Sequence, residues 1–469
     1  MSPGDNLTQG RCPGPTAQDY IDRDSRPVPD VLRMNVNDPL GNEDIPVACY
    51  ISADYHREEI ERLWRRVWQM ACREEEIPNV GDTQLYEIAD DSLMIVRTAP
   101  DQIRAYFNAC LHRGRKLRTK PGNVPEFRCP FHGFTWRLDG SLKEIPCKWD
   151  FEHVDDEAFG LPEAKIATWG GFVFINMDPL CQPFEDFLGE FRHQFERWPL
   201  EDRYTSVHVA KVLPCNWKVA QEAFMEAYHT IGTHPQLLPW LGDANSQYDV
   251  RADQPHWNRT LTPQGVPSPH VAEGISEEDV LESFYFSRGF YAATQGRDLS
   301  LPEGEELPPI PEGGTARQVL ADRMREQLAR VSKDDYSDVT DSELLDAINY
   351  LVFPNLHPWA GAKSNITYRF RPYKNDPDQS IAEVYFLSRW NRDEPKPAPA
   401  QVRWVAADED FADVQELGLL GPVFDQDVAN LPYVQEGLKT LRKPGVTLAT
   451  YQESRIRHFH STLQTWMSR

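Results

Sequence analysis

Cys110-Leu111-His112 and, after sixteen intervening residues that begin Arg113-Gly114, Cys129-Pro130-Phe131-His132-Gly133-Phe134 put two matched thiol/imidazole pairs in one stretch of chain. Two such loops can close on one metal centre. A Cys2His2 donor set suits either a tetrahedral zinc or a [2Fe-2S] cluster with two thiolates on one iron and two imidazoles on the other. Zinc fingers with these ligands usually pair Cys with Cys and His with His; each arm here carries one of each, which favours the cluster. Between the arms, residues 113–128 hold Arg113, Arg115, Lys116, Arg118, Lys120 and Arg128 against Glu126, a local charge of +5 in a chain of formal net charge −24. Such a collar can steer an acidic electron donor or offset the charge of a reduced cluster.

Outward from the arms, short β-like runs broken by turn residues (Gln84 to Ala89, Leu93 to Thr98, Phe172 to Ile175) predict a small all-β domain over 75–180. Before it, Ile60, Leu63, Trp64, Val67, Trp68 and Ala71 recur at helical spacing, predicting an amphipathic helix from Ala53 to about Cys72, within a segment 46–74 packed on the larger domain. Residues 1–45, rich in Pro, Asp, Asn and Gly, read as an arm laid over the surface or wrapped on a neighbour. After the β domain, Phe184 to Trp198 has helical periodicity, and a larger domain is expected over 181–469. Within it a helix is expected from Trp217 to about Thr230, long loops from about 252 to 318, strands at Ser364 to Phe370 and Ile381 to Ser388, and a helix from about Val423.

The larger domain carries a second constellation, Glu226-Ala-Tyr-His229-Thr-Ile-Gly232-Thr-His234-Pro235. On a regular helix Glu226 and His229 share a face, but His229 and His234 are turned apart by about 140°. A break is therefore required, and Gly232 and Pro235 supply a place for it. Two neutral imidazoles and one carboxylate leave open positions on a ferrous ion. A solvated helix with two hydrogen-bonded histidines fits the same letters.

Taken together, the two Cys/His arms, Asn216-Trp217-Lys218 and the Glu226 to His234 run resemble the Rieske non-haem iron oxygenases, in the alpha (oxygenase) subunit of aromatic-ring-hydroxylating dioxygenases. The additional cysteine that respiratory Rieske proteins carry in each arm is missing here, which points to the oxygenase branch. The resemblance implies an α+β architecture, a small all-β Rieske domain plus a helix-grip catalytic domain in which an antiparallel sheet wraps a helix. It implies that Cys110 and Cys129 hold the outer iron of a [2Fe-2S] cluster and His112 and His132 the inner one. It further implies a mononuclear Fe(II) held by His229, His234 and a downstream carboxylate in Phe424-Asp425-Gln426-Asp427, Asp427 first and Asp425 in reserve, with Gln435 in the same region. Glu226, at a position where many relatives have Asp, would bridge His229 to the His132 of an adjacent chain and pass electrons between centres. The implied assembly is a homotrimer or a multiple of three, with or without a β subunit. The implied activity is hydroxylation or demethylation of a small organic substrate with O2 and electrons from NAD(P)H, delivered by a reductase or ferredoxin. Aromatic acids, terpenoids or steroids, quaternary amines and branched alcohols or ethers are all substrates in this family. The rival reading is an electron carrier or a zinc-stabilised binding module.

Composition sets outer bounds. The 469 residues allow two or three domains, and the acidic balance argues against nucleic acid or anionic membrane as partner. With mean hydropathy of −0.58, an N-terminus without the features of a secretory signal and no long apolar run, the expected location is the cytoplasm. Eight cysteines are too sparse for a disulfide scaffold, so Cys12, Cys49, Cys72, Cys147, Cys181 and Cys215 read as ordinary thiols. His357 could face substrate but reads better as a packed loop histidine, and His458 and His460 read as surface residues.

Overall fold

In the hairpin around Asp90-Asp91, Tyr86 and Ile88 point inward on either side of the exposed Glu87, while the facing strand is buried without a break from Leu93 to Arg97. Asp82–Ile88 pairs antiparallel with Asp91–Ala99, and Ala89 turns the chain at φ 49°. The computed structural model describes residue 12 and residues 14–294, 307–363, 366–418 and 420–469. Parts of the N-terminal arm and of the 252–318 stretch, and Ser364, lie outside the described residues. The chain divides into two compact units, one built on Arg57–Phe187 with Tyr373–Asn375, the other on Leu188–Pro372 and Asp376–Ser468 with the residues up to His56.

In the first unit a seven-stranded sheet runs in the order Gln69–Arg73, Phe172–Asn176, Glu163–Trp169, Gln102–Phe107, Asp91–Ala99, Asp82–Ile88, Gly122–Asn123. A three-stranded sheet of Phe127–Arg128, Thr135–Trp136 and Leu142–Glu144 carries the second Cys/His arm. Here the helix expected through Cys72 is corrected. It runs over Ala53–Glu59, widens to a π-helical turn at Ile60–Trp64 and ends, and Gln69–Arg73 is a strand against Phe172–Asn176. Val67, Met70, Ala71 and Cys72 are all buried, and a run buried on every side carries no period; its partner strand decides. This strand also places the end of segment 46–74 with the β domain rather than with the larger one.

The second unit is an eight-stranded sheet in the order Gln247–Asp249, Trp257–Thr262, Ala347–Val352, Leu356–Ala360, Ile366–Tyr373, Asp376–Ser388, Tyr204–Leu213, Arg403–Val405. Among the described residues its pairings are antiparallel except the last, which is parallel. The long helix Leu420–Thr440 buries Phe424, Asp427, Leu431, Gln435 and Leu438, a three-and-four spacing that makes one face. Phe424, Leu431 and Leu438 join one core with Val209, Leu213, Tyr368, Phe370 and Val384 of the sheet. That is the sheet-on-helix arrangement the resemblance implied. The arm lies along the sheet's edge, where Val36 N donates to Asp249 Oδ1 and Arg259 donates to the carbonyls of Val31 and Met34.

Three further expectations are corrected. The Phe184 to Trp198 helix stops at Leu188 and tightens into a 3-10 turn, because Gly189 adopts φ 54°. The stretch read as long loops contains the strand Trp257–Thr262 and the helices Glu277–Thr294 and, from its end onward, Ala316–Ser332. The capping box Thr315/Gln318 signals the second of these in the sequence, although the surrounding Pro and Gly mask it. His458 and His460 are buried, because the helix Ser454–Met467 is packed on nearly all sides. His458 bonds Asn258 and the carbonyl of Arg251; His460 bonds Glu222 and Tyr50.

Candidate metal centres

Each Cys/His arm folds into the same loop. Cys110 N donates to Arg115 O and Gly114 N to Cys110 O; Cys129 N donates to Phe134 O and Gly133 N to Cys129 O. Both glycines sit in the left-handed region, at φ 75° and 81°, which is why each arm carries Gly four residues after its Cys. The loops set the two thiols against each other, and the imidazoles of His112 and His132 lie with ring centroids 4.7 Å apart. Four donors converge in the manner a cluster needs. The inner and outer assignment is reversed, however. Cys110 and Cys129 are 3% and 1% exposed, while His112 is half-buried and His132 exposed, so the thiolate end faces the core and the imidazole end the surface. His112 stacks on Phe134 at 4.6 Å, and Arg113 lies over the exposed ring of Phe131 at 5.2 Å. Of the basic collar, Lys116 is paired with Glu87 and Glu126 with Lys143.

In the larger unit Asn216 caps the helix Trp217–Glu222 through Lys218 N, and Gln435 Oε1 accepts from Asn216 N. These motif residues are scaffolding for the site. The helix ends at Glu222, and residues Thr230–Thr233 form a single separate turn. The break thus precedes His229 instead of falling at Gly232. His234 leaves helical geometry, at φ −127° and ψ 50°, where the following Pro235 disfavours a helical residue.

The result brings His229, His234 and Asp427 together with one ligand atom from each within 4.8 Å of the others. Asp427 Oδ1 is 2.7 Å from His234 Nε2 and 3.4 Å from His229 Nε2. Glu226 Oε1 lies 2.8 Å from His229 Nδ1, and its Oε2 accepts from His229 N. Gln426 Oε1 lies 2.9 Å from His234 Nδ1 and also accepts from Gln236 Nε2. An amide oxygen only accepts, so His234 holds its proton on Nδ1 and presents Nε2 to the metal position; Glu226 does the same for His229. Burial alone would push the His229 imidazolium down, but Glu226 and Asp427 hold it up at about 10; burial would raise Asp427, and its bonds to the two histidines keep it below the usual range. A ferrous ion takes the place of the proton on His229 Nε2, so that two imidazoles held through Nδ1 and one carboxylate fit it. Asp425 is not part of the set: its carboxylate accepts from Phe411 N and Ala412 N.

A cavity of about 570 Å3 opens on this triad, walled by Phe224, Leu237, Trp240, Tyr368 and Phe424. The sequence reading missed Thr260, Asn349, Trp359 and Arg455, which also line it. His357 does not line it and packs on Phe370, in a strand rather than a loop.

Residues 193–469 match the family model described as ring hydroxylating alpha subunit (catalytic domain), and residues 67–155 match the Rieske [2Fe-2S] domain. The chain belongs to the ring-hydroxylating alpha-subunit family. It is 29% identical over 211 residues to the glycine betaine monooxygenase oxygenase subunit of Pseudomonas aeruginosa, covering 45% of this chain and 49% of that one. It is 30% identical over 194 residues to the biphenyl 2,3-dioxygenase subunit alpha of Rhodococcus jostii, covering 40% and 42%. The chain thus spans about half the length of these curated relatives. Its fold is that of the quaternary ammonium Rieske monooxygenase CntA, solved with L-carnitine, at TM-score 0.61 and 17% identity over 90% of this chain and 95% of that one. Among the described residues, no helix is long and apolar enough to cross a membrane.

Proposed function

We propose that this chain is the oxygenase component of a multicomponent Rieske non-haem iron oxygenase. It uses O2 and electrons from NAD(P)H, delivered by a reductase or ferredoxin, to hydroxylate or demethylate a small organic substrate. In this reading Cys110, Cys129, His112 and His132 hold the cluster, and His229, His234 and Asp427 hold the iron. When bound, the cluster supplies single electrons and the ferrous ion supplies open positions for dioxygen. The observation that carries the reading is the convergence of those three ligand atoms at the wall of an apolar cavity large enough for a small organic molecule.

The remaining residues have positioning tasks. Glu226 and Gln426 fix the imidazole tautomers from opposite sides, and the aromatic wall excludes water from the reacting face. Glu226 also bridges His229 to the His132 of an adjacent chain in a closed ring of three; the exposure of His132 and the burial of the Cys pair support this, since the imidazole end is the one a neighbour can reach. The test is reconstitution with a generic reductase and ferredoxin under 18O2, screening products by mass spectrometry. Label in a product from the wild-type protein and none from His229→Ala is the expected result; full turnover by His229→Ala would end the site assignment.

A further inference from the structure

Three neighbouring strands place Thr260, Asn349 and Trp359 side by side: Thr260 is opposite Asn349, and Asn349 opposite Trp359. Alternation along each strand sends all three to the cavity face, and all three line the cavity. Each carries a buried polar atom without a hydrogen-bond partner among the described residues, Thr260 Oγ1, Asn349 Nδ2 and Trp359 Nε1. Thr260 and Asn349 are 6% and 5% exposed. Buried donors left unpaired cost stability, and a row of them at a cavity wall is explained if a ligand completes them.

The orientation of Asn349 is not free. Arg455 Nη2 donates to Asn349 Oδ1 at 2.8 Å, and a guanidinium has no acceptor, so the amide oxygen must face Arg455 and the NH2 the cavity. Arg455 is itself locked, with Nε on Asn258 Oδ1 at 2.6 Å and Nη1 on Met225 O at 3.0 Å. It is fully buried and lines the same cavity, and these three hydrogen-bond partners are neutral. Asp249 and Glu226 act on its charge through space, and among the described residues no carboxylate bonds it directly, so its guanidinium stays available to orient Asn349 at the cavity wall.

We propose that this row is the polar end of the substrate pocket: Asn349 and Trp359 donate to an oxygen acceptor on the substrate, a carboxylate in preference to a neutral carbonyl, with Arg455 as the residue that positions Asn349. The proposal deepens the oxygenase reading and rests on it for the word substrate. The row would sort molecules entering a mostly apolar cavity by the acceptor they carry and fix how that end is held.

The experiment is equilibrium dialysis of the iron-loaded protein against three probes of one shape, 2-naphthoate, 2-naphthamide and 2-methylnaphthalene. The wild-type protein is expected to bind 2-naphthoate about tenfold or more tightly than 2-methylnaphthalene, with 2-naphthamide between. Asn349→Asp keeps an acceptor for Arg455 but turns an anionic oxygen to the cavity, so 2-naphthoate affinity should fall by about tenfold or more while 2-methylnaphthalene, which needs no donor, holds and reports an intact cavity. Trp359→Phe should remove part of the preference. Equal affinity for the acid and the hydrocarbon, no saturable binding of any probe, or an unaltered preference in Asn349→Asp overturns the proposal. Binding is read without turnover, so the two readings fail separately: carboxylate preference without 18O incorporation sinks the oxygenase and keeps the row, and the reverse pattern sinks the row alone.

Discussion

His234 Nε2 lies 2.7 Å from Oδ1 of Asp427, across 193 positions of sequence. A one-turn helix presents the first and a long, half-buried helix the second, and with His229 they form a group of three potential metal ligands whose ligand atoms lie within 4.8 Å of one another.

Removing the carboxylate separates the two metal centres. Asp427→Ala should bring the iron content from about three per chain to about two, with the visible absorbance of the cluster unchanged. Iron assay and absorbance on one sample check it. Loss of the visible bands together with the iron would tie Asp427 to the wrong centre, and a colourless wild-type protein would favour the zinc module.

Gln426 matters through a proton it never touches in the reaction. Gln426→Leu leaves His234 Nδ1 without its acceptor, so the imidazole loses its fixed tautomer, and metal affinity at the triad should fall about 10- to 100-fold with the fold intact. Competition titration with a chromophoric chelator measures this; an unchanged affinity would show that His234 is oriented by packing alone.

The two loop glycines should differ in tolerance. Both have positive φ, which costs a substituted residue about 1–2 kcal/mol. A Cβ at Gly114 meets nothing within 4 Å, whereas at Gly133 it meets Pro146 Cγ at 3.2 Å and Arg128 at 3.4 Å. Gly133→Ala should therefore lose its cluster absorbance at a lower temperature than Gly114→Ala, and the reverse order would contradict the loop geometry.

Stability should fall as the medium is acidified. Burial holds His458 down at about 4, with the Arg251 carbonyl opposing the shift, while the unfolded chain titrates near 6.5. Between those values the unfolded state binds the proton and the folded state does not, so stability is lost as pH falls through this window, by at most about 3 kcal/mol from this residue. Buried His357 acts in the same direction. Urea midpoints at pH 7 and pH 5 should differ less in His458→Asn than in the wild-type protein; an identical difference would remove His458 from the account.

Local chemistry was legible in the letters. Cys-x-His and Cys-x-x-His, each with Gly four residues after its Cys, specify their loops because thiol, imidazole and positive-φ turn are all encoded within six residues. Short β-like runs bounded by turn residues, such as Leu93 to Thr98 after Asp90-Asp91, specified strands, and the periodicity from about Val423 specified the helix that carries Asp427. Depth and partnership were not local. Nothing in the sequence says that the Cys pair faces inward and the His pair outward, that residues 69–73 find a strand instead of extending a helix, or that His458 and His460 near the end of the chain are buried. Nor could it join Thr260, Asn349 and Trp359 into one row or aim an amide through Arg455, because cross-strand register and the position of a helix about a hundred residues further on are set by the packing of the whole unit. The sequence thus determined which metals and turns are possible, and the tertiary structure decided which side chains face one another, since hydrogen bonds and burial act on distance in space and not along the chain.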